Sequence, residues 1–330
     1  MRKRWQLHKG QAAYREAAAR LAEDMDIPPL AALLAMERDT PEEELPAFLD
    51  LEPPQYQSPY DLPDMDAAVA RIAAAIERGE HITVFGDYDA DGVTATALLY
   101  LHLSSKTPHV SWYLPDRHKE GYGLNMEAVD ALAARGTQLI VTVDNGVSAV
   151  REIAHANALG IATVVTDHHQ IGGALPPAVA NINPHREECT LPFRDYTGVG
   201  LAFLLVCALE GCEPEELLPD YGELVALGTV ADVVPLRGDN RAFVRAGLEV
   251  LNERPGLGFE ALLRVARVQR RPLTATTLAF SVGPRINAAG RMGLAAEALA
   301  LLLCRDEAQA ERLAQKLELY NEERQQTEKE

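Results

Sequence analysis

Short apolar runs alternate with amphipathic stretches along the chain from about residue 65. The runs are nearly continuous and rich in β-branched residues, which is typical of strands buried on both faces of a parallel sheet. The stretches between them carry apolar side chains at helical spacing. The predicted elements are helix 66–78, strand Ile82–Phe85, helix Val93–Leu103, strand His109–Leu114, helix Asn125–Ala134, strand Leu139–Val143, helix Ser148–Leu159 and strand Ile161–Val165. The pattern predicts an α/β fold with helices on both faces of a parallel sheet.

The regions on either side of this alternation are predicted to be mainly helical. Before it, prolines divide the chain into short helices followed by an extended connector. After Gly198 the apolar pattern is helical. These changes predict four parts, namely an N-terminal helical and extended region at 1–63, a core with the parallel sheet at 64–240, an arginine-rich helical part at 241–305 and the start of a connecting helix at 306–330.

Acids, amides and histidines follow three of the predicted strands at the point where each strand ends. A further acid lies in the segment GTVADVVP. Because the carboxyl ends of parallel strands meet at one edge of a sheet, we expect these side chains to converge there. The candidate site residues are Asp87, Asp89, Asp91, Asp144, Asn145, Asp167, His168, His169 and Asp232.

Carboxylates held a few ångströms apart repel one another, and their pKa values rise unless a cation neutralises them. Mixed carboxylate and imidazole ligands favour Mn²⁺, with Mg²⁺ or Zn²⁺ as competitors. Five or six ligands suffice for two ions that share one carboxylate. Paired ions activate water and stabilise the leaving oxygen in phosphoester hydrolysis. The cluster therefore predicts a site for two divalent cations.

Each piece of this cluster also has a simpler interpretation. The segment from Asp87 to Gly92 matches the start of an EF-hand loop, but the twelfth position is Leu98 instead of glutamate. DNG alone is typical of a turn. Asp232, followed closely by Pro235, is equally consistent with the end of a helix. Only the occurrence of such residues after three successive strands favours a metal site.

The formal net charge of −18 argues against a protein that holds nucleic acid by bulk charge. Residues 241–291 differ, with nine arginines against three glutamates. The chain shows no secretory signal and no apolar stretch of the ~20 residues that a membrane-spanning helix needs. Its four cysteines lack scaffold density and CxxC spacing, which is typical of reduced thiols. We therefore expect a cytoplasmic protein that does not bind membranes.

Four segments, FGDYDADG, VTVDNG, VTDHH and LGTVADVVPL, resemble the four successive motifs of the DHH phosphoesterase superfamily. Within it, GYGLN at 121–125 and PRINAAGRMG at 284–293 are similar to the RecJ family of bacterial exonucleases. The resemblance covers roughly residues 60–330. It implies a metal-dependent 5′→3′ exonuclease that hydrolyses single-stranded DNA to 5′-mononucleotides in DNA repair and recombination. Implied partners are single-strand-binding protein and recombination helicases.

The resemblance also implies a role for each site residue. Asp87 and Asp89 would hold one ion, and Asp144 would bridge the two. The ligands of the other ion would be Asp91, His168 and Asp232. His169 would lie beside the scissile phosphate as a phosphate contact or proton donor. Asp167 would orient the histidines, with Asn145 in a similar supporting position.

In RecJ relatives the arginine-rich segment lies beside the DNA path, which makes Arg285, Asn287 and Arg291 candidate phosphate contacts. Helix capping and internal salt bridges are nearly as good explanations for these three residues. RecJ proteins continue into a DHH-associated domain and an OB-type domain. This chain ends within a predicted helix, so we expect a catalytic core followed by the start of the linker to a DHH-associated domain.

Two other functions remain open. One is a DHH-family phosphodiesterase or pyrophosphatase that acts on short oligonucleotides or small molecules. GYGLN, the GRMG segment and the long N-terminal region argue against it. The other is a non-catalytic DHH scaffold, which the presence of every motif acid and both histidines disfavours.

Overall fold

The computed structural model describes residues 12–38, 45–49, 55–269 and 272–327. Contacts divide the chain into two compact units, Met1–Tyr56 and Gln57–Glu330. The first contains α1 (Ala12–Asp24), α2 (Pro29–Glu37) and the short α3 (Leu45–Phe48), as expected for a segment divided by prolines. Its small core is formed by Ala18, Ala22 and Ala32. The predicted connector prolines Pro53 and Pro54, and Arg270 and Arg271 of the arginine-rich segment, lie outside the described residues.

The second unit is built around a five-stranded sheet in which every strand pair is parallel. The spatial order is β2-β1-β3-β4-β5. The strands are β1 (Ile82–Phe85), β2 (Val110–Tyr113), β3 (Leu139–Val143), β4 (Ala162–Thr166) and β5 (Ala180–Ile182). Every residue of β1 and β3 is buried, which explains why these strands are almost uniformly apolar.

Helices cover both faces of the sheet. One face packs against α4 (Met65–Arg78), α5 (Ala90–Lys106) and α8 (Gly198–Glu210). The opposite face packs against α6 (Met126–Ala134) and α7 (Val150–Ala158), whose apolar side chains form a core with those of β1, β3 and β4. The α/β fold predicted from the sequence is therefore confirmed.

The rest of the second unit is helical, as predicted. Its helices are α9 (Pro214–Ala231), α10 (Gly238–Glu253), α11 (Leu257–Val265), the short α12 (Ala275–Thr277), a π-helix (Leu278–Val282), α13 (Gly283–Arg291), α14 (Ala295–Leu302) and α15 (Glu307–Thr327). α9 packs on α5 and α8, and α13 packs on α5, α9 and α15. Among the residues that the structure describes, no helix combines the length and the apolar character needed to span a membrane.

The predicted helices and strands before residue 170 agree with the observed ones to within a few residues. The Asn125 side chain accepts a hydrogen bond from the Ala128 amide at 2.8 Å and so caps α6, as predicted. One strand was not predicted. β5 has only three residues, with a polar Asn181 at its centre, so it lacks the apolar run that identifies the other strands.

Candidate metal centre

The first acidic motif forms the junction between β1 and α5. Asp89 caps α5, because its Oδ1 accepts hydrogen bonds from the amides of Asp91 (3.0 Å) and Gly92 (3.1 Å). Gly92 is needed for close packing, since a Cβ there would lie 2.7 Å from the Cβ and backbone of Asp87. This tight turn buries the Asp87 side chain and directs three carboxylates towards the carboxyl edge of the sheet.

The Asp91 carboxylate lies at the N-terminus of α8. Its Oδ2 accepts a hydrogen bond from the Gly198 amide at 2.6 Å, and its Oδ1 accepts one from the Val199 amide at 2.8 Å. Amides at a helix N-terminus stabilise a negative charge. Burial nevertheless dominates, and together with the charges of Asp232 and Asp89 it raises the pKa of Asp91 well above its usual value.

Asp144 follows β3 in a left-handed conformation, with φ of 61°. A non-glycine residue pays a steric cost for this conformation, which is frequent at functional sites. Asn145 helps to hold the turn, because its Nδ2 donates to the carbonyls of Val143 (2.9 Å) and Phe85 (3.2 Å). The turn thus links the ends of β1 and β3 and places the Asp144 side chain between the other acids.

His168 lies at the centre of the cluster. Its Nε2 is 3.0 Å from Asp144 Oδ1, 3.8 Å from Asp91 Oδ2 and 3.9 Å from Asp232 Oδ2. Burial and the neighbouring His169 lower the pKa of His168 to about 4. The ring is therefore neutral near pH 7, which is the form that binds a metal.

His169 is positioned by Asp167. Asp167 Oδ1 lies 2.7 Å from His169 Nδ1 and also accepts a hydrogen bond from the His169 amide, while Oδ2 accepts one from the Val147 amide at 2.8 Å. The hydrogen bond to Asp167 raises the pKa of His169. Despite its burial, the same hydrogen bonds lower the pKa of Asp167. His169 is about half exposed, so its ring lies at the mouth of the site.

Asp232 satisfies both interpretations that the sequence left open. It caps the C-terminus of α9, and its carboxylate also faces His168. Val233 follows with φ of 63° and turns the chain away from the site. Burial, together with the charge of Asp89, raises the pKa of Asp232 to about 6.

The acids and histidines form three groups whose ligand atoms lie within 4.8 Å of one another among the described residues. The groups are Asp87–Asp89–Asp144, Asp91–His168–Asp232 and Asp144–His168–His169. Burial raises the pKa of Asp87 to about 7 and that of Asp144 well above its usual value. Asp87 Oδ1 is buried and accepts no hydrogen bond from any described residue, and the nearest nitrogen to the buried Asp144 Oδ1 is that of the neutral His168 ring. A buried oxygen without a donor, raised carboxylate pKa values and a neutral imidazole are what a divalent-cation site requires.

The three predicted phosphate contacts lie on or near α13, but in different environments. Arg285 is only 9% exposed, and its Nε lies 2.5 Å from Glu318 Oε2. Asn287 Oδ1 accepts a hydrogen bond from the Ala90 amide at 2.8 Å. These contacts are the salt-bridge and capping alternatives that the sequence left open. Arg291 is exposed and forms no ion pair with a described residue. Contact with DNA stays a prediction for all three.

Sequence analysis did not identify two residues that line the site. Gly198 packs against Asp144, and a Cβ there would lie 2.4 Å from the Asp144 Cβ. The Tyr122 hydroxyl donates to the Asp144 carbonyl at 3.2 Å and lies 3.3 Å from both ring nitrogens of His169. Both residues stand in recognisable segments, GVG at 198–200 and GYGLN at 121–125, and only their spatial neighbours reveal these contacts.

Comparison with known proteins agrees with this geometry. The family described as "DHH family, N-terminal domain" matches residues 81–229. The single-stranded-DNA-specific exonuclease RecJ of Bacillus subtilis (strain 168) is 39% identical over 324 residues, which cover 98% of this chain and 40% of that protein. RecJ of Escherichia coli (strain K12) is 43% identical over 282 residues, which cover 81% of this chain and 48% of that protein. The chain thus spans less than half the length of these curated relatives.

Two solved structures are similar over most of the chain. Exonuclease RecJ bound to manganese matches with a TM-score of 0.73 and 38% identity, over 81% of this chain and 68% of that one. RecJ from Thermus thermophilus in complex with Mn²⁺ matches with a TM-score of 0.79 and 34% identity, over 94% of this chain and 44% of that one. The fold and the family predicted from the sequence are confirmed.

Proposed function

Because this chain belongs to the RecJ family of DHH proteins, we propose that it is the catalytic core of a metal-dependent exonuclease. The substrate is single-stranded DNA, which is degraded 5′→3′ to 5′-mononucleotides in DNA repair and recombination. The proposal rests on two clusters of ligand side chains that share Asp144. Asp87 and Asp89 lie on one side of Asp144, and His168 lies on the other. This arrangement suits two ions that share one carboxylate.

Two divalent cations would be held by separate sets of side chains. Asp87 and Asp89 would hold one ion, and Asp144 would contribute to both sites. Asp91, His168 and Asp232 would supply the remaining ligands of the second ion. The donor set of oxygens with one imidazole nitrogen favours Mn²⁺, and Mg²⁺ is the alternative. When bound, such ions lower the pKa of water and stabilise charge on the phosphoryl oxygens.

The protein's own groups position the substrate and transfer a proton. Asp167 Oδ1 lies 2.7 Å from His169 Nδ1, so a proton on Nδ1 would be held there and Nε2 would be left for the substrate. The hydrogen bond to Asp167 raises the pKa of His169 and so favours the protonated ring, from which Nε2 would donate a proton to the departing 3′-oxygen. Asp167 is a positioning residue in this scheme, and Asn145 supports the turn that carries Asp144. Arg285, Asn287 and Arg291 border the path of the strand.

We further propose protein partners and a cellular compartment for the enzyme. Single-strand-binding protein would deliver the substrate, and a recombination helicase would unwind the duplex that precedes it. The cysteines Cys189, Cys207, Cys212 and Cys304 are all free, which suits a reducing cytoplasm.

The test is degradation of 5′-labelled single-stranded DNA in the presence of Mn²⁺ by the wild type and by Asp144→Ala. We expect loss of at least about three orders of magnitude in rate, because removal of the shared carboxylate affects both ions. The control is Asp130→Ala, which removes an exposed acid that pairs with His155 away from the site. Near-normal activity of Asp144→Ala would refute the assignment. Turnover confined to a dinucleotide substrate would instead favour a small-molecule phosphodiesterase.

A further inference from the structure

We infer that Asn287 is a positioning residue for the metal centre and that its carboxamide holds the Asp87–Asp91 turn in the conformation that binds cations. This inference rests on the proposed metal site and extends it to α13. Asn287 is separated from Ala90 by 197 positions in the sequence, yet its Oδ1 accepts the Ala90 amide proton at 2.8 Å.

The first amides of α5 show why this hydrogen bond matters. The first amides of a helix have no partner within the helix and need external acceptors. Asp89 Oδ1 accepts two of them, from Asp91 and Gly92, and Asn287 accepts the one from Ala90. Because Asn287 supplies this acceptor, Asp89 keeps its second oxygen for a cation. Without Asn287, the buried Ala90 amide would compete for the carboxylate oxygens around it.

Two further contacts fix α13 against the same turn. Gly290 packs so closely on the turn that a Cβ there would lie 2.1 Å from the Tyr88 carbonyl oxygen. The Arg291 carbonyl oxygen lies 2.8 Å from His118 Nε2. α13 is therefore held against the metal-binding turn and the loop beside it, and the Asn287 hydrogen bond is the contact that ends on the residue between Asp89 and Asp91.

The arrangement also connects the metal centre to the last described helix. Arg285 on α13 pairs with Glu318 on α15, and Lys316 and Tyr320 of α15 contact Glu297 on α14. The position of α13, and with it the acceptor for Ala90, is thus set by packing against α14 and α15. Through Asn287, the geometry of the cation ligands depends on how α13 packs against α14 and α15.

The test measures Mn²⁺ affinity by calorimetric titration of the whole chain at pH 7.5, for the wild type and for Asn287→Ala. We expect Asn287→Ala to bind Mn²⁺ about 10-fold more weakly or worse, the usual effect of losing a group that orients metal ligands. The matched control is Asn252→Ala. Asn252 Oδ1 likewise accepts a backbone amide, that of Leu273 at 2.7 Å, but it lies on α10 and contacts no proposed ligand.

Further variants separate the possible outcomes. Asn287→Asp keeps an acceptor oxygen and should bind Mn²⁺ with about the wild-type affinity. Asn287→Leu keeps the side-chain volume but removes the acceptor. It takes the place of Asn287→Ala if that variant does not fold. Thermal unfolding in EDTA should show similar losses for Asn287→Ala and Asn252→Ala. Wild-type Mn²⁺ affinity in a folded Asn287→Ala or Asn287→Leu variant would overturn the inference, as would weaker DNA binding with unchanged Mn²⁺ affinity. Failure of the wild type to bind Mn²⁺ would instead refute the proposed function.

Discussion

Gly198 lies so close to Asp144 that a methyl group on Gly198 would come within 2.4 Å of the Asp144 Cβ. The Gly198 amide also donates a hydrogen bond to Asp91 Oδ2 at 2.6 Å. One glycine at the start of α8 thus contacts two of the proposed cation ligands. It can do so only because it has no side chain.

Gly198→Ala is therefore expected to damage the site. The methyl group would displace Asp144 or α8, at a cost of about 1–3 kcal/mol in the free energy of unfolding, and should weaken Mn²⁺ binding by about 10-fold or more. Urea unfolding in EDTA and calorimetric titration with Mn²⁺ measure the two effects. The control is Gly200→Ala two residues later, where the nearest contact of the added Cβ would be 3.3 Å from Thr197 Oγ1. Equal behaviour of the two variants would contradict this explanation.

Mn²⁺ affinity is expected to rise with pH between about 5.5 and 8. In the protein without metal, burial raises the pKa of Asp87 to about 7 and that of Asp232 to about 6. Protons therefore compete with cations for these carboxylates at the lower pH, and binding should release protons. Calorimetric titrations in buffers of different ionisation enthalpy count the released protons. An affinity that does not change over this range would contradict competition between protons and cations at these two carboxylates.

Asp239 should make the stability of the protein depend on pH without involving the metal centre. It is 3% exposed, and burial raises its pKa to about 6, although Tyr196 and Gln57 donate hydrogen bonds to its Oδ2. A raised pKa in the folded state contributes stability below the unfolded value of 3.8, and this contribution is lost as the pH rises through about 6.

Asp239→Asn removes this titration and keeps an oxygen that accepts both hydrogen bonds. From pH 4.5 to 7.5, the wild type should lose about 2 kcal/mol of unfolding free energy relative to Asp239→Asn. Urea unfolding of both proteins in EDTA across this range measures the difference, and the other titrating groups cancel in the comparison. A constant difference would mean that Asp239 is ionised at all of these pH values.

Arg285 and Arg291 are expected to behave differently when mutated. Arg285→Met leaves the buried Oε2 of the partly exposed Glu318 without its partner, which should destabilise the fold by about 1–3 kcal/mol. Replacing both partners, in Arg285→Met with Glu318→Leu, should recover much of this loss.

Arg291→Ala should leave the free energy of unfolding almost unchanged and weaken the binding of single-stranded DNA, with a smaller salt dependence. Fluorescence anisotropy with a labelled oligonucleotide measures the DNA affinity of each variant. Weak DNA binding by the Arg285→Met, Glu318→Leu double variant, if it is as stable as the wild type, would make Arg285 a phosphate contact.

The sheet could be predicted from the sequence because its central strands are buried on both faces. Such strands need nearly continuous apolar residues, and Leu139–Val143, in which only Thr142 is polar, is a clear case. Because the acids of three motifs directly follow predicted parallel strands, the sequence also predicted that these acids lie at one edge of the sheet. β5, with Asn181 at its centre, was not predicted because a short edge strand needs no apolar run.

The contacts between distant segments could not be predicted, since they depend on the packing of helices. Nothing in the sequence indicates that Asn287 reaches Ala90 or that Arg285 reaches Glu318, because side-chain direction on α13 is set by its neighbours α5 and α15. Asp232 shows the same limit. Its position before Pro235 indicates the end of a helix, but only the packing of α9 against α5 brings its carboxylate to His168.

An anomalous-scattering measurement at the manganese edge, on crystals of this chain soaked in Mn²⁺, tests the proposed site for two cations most directly. We expect two peaks on either side of Asp144, one beside Asp87 and Asp89 and the other beside Asp91, His168 and Asp232. The absence of any peak at this cluster, in crystals that have taken up Mn²⁺ elsewhere, would show that these residues do not hold the cations.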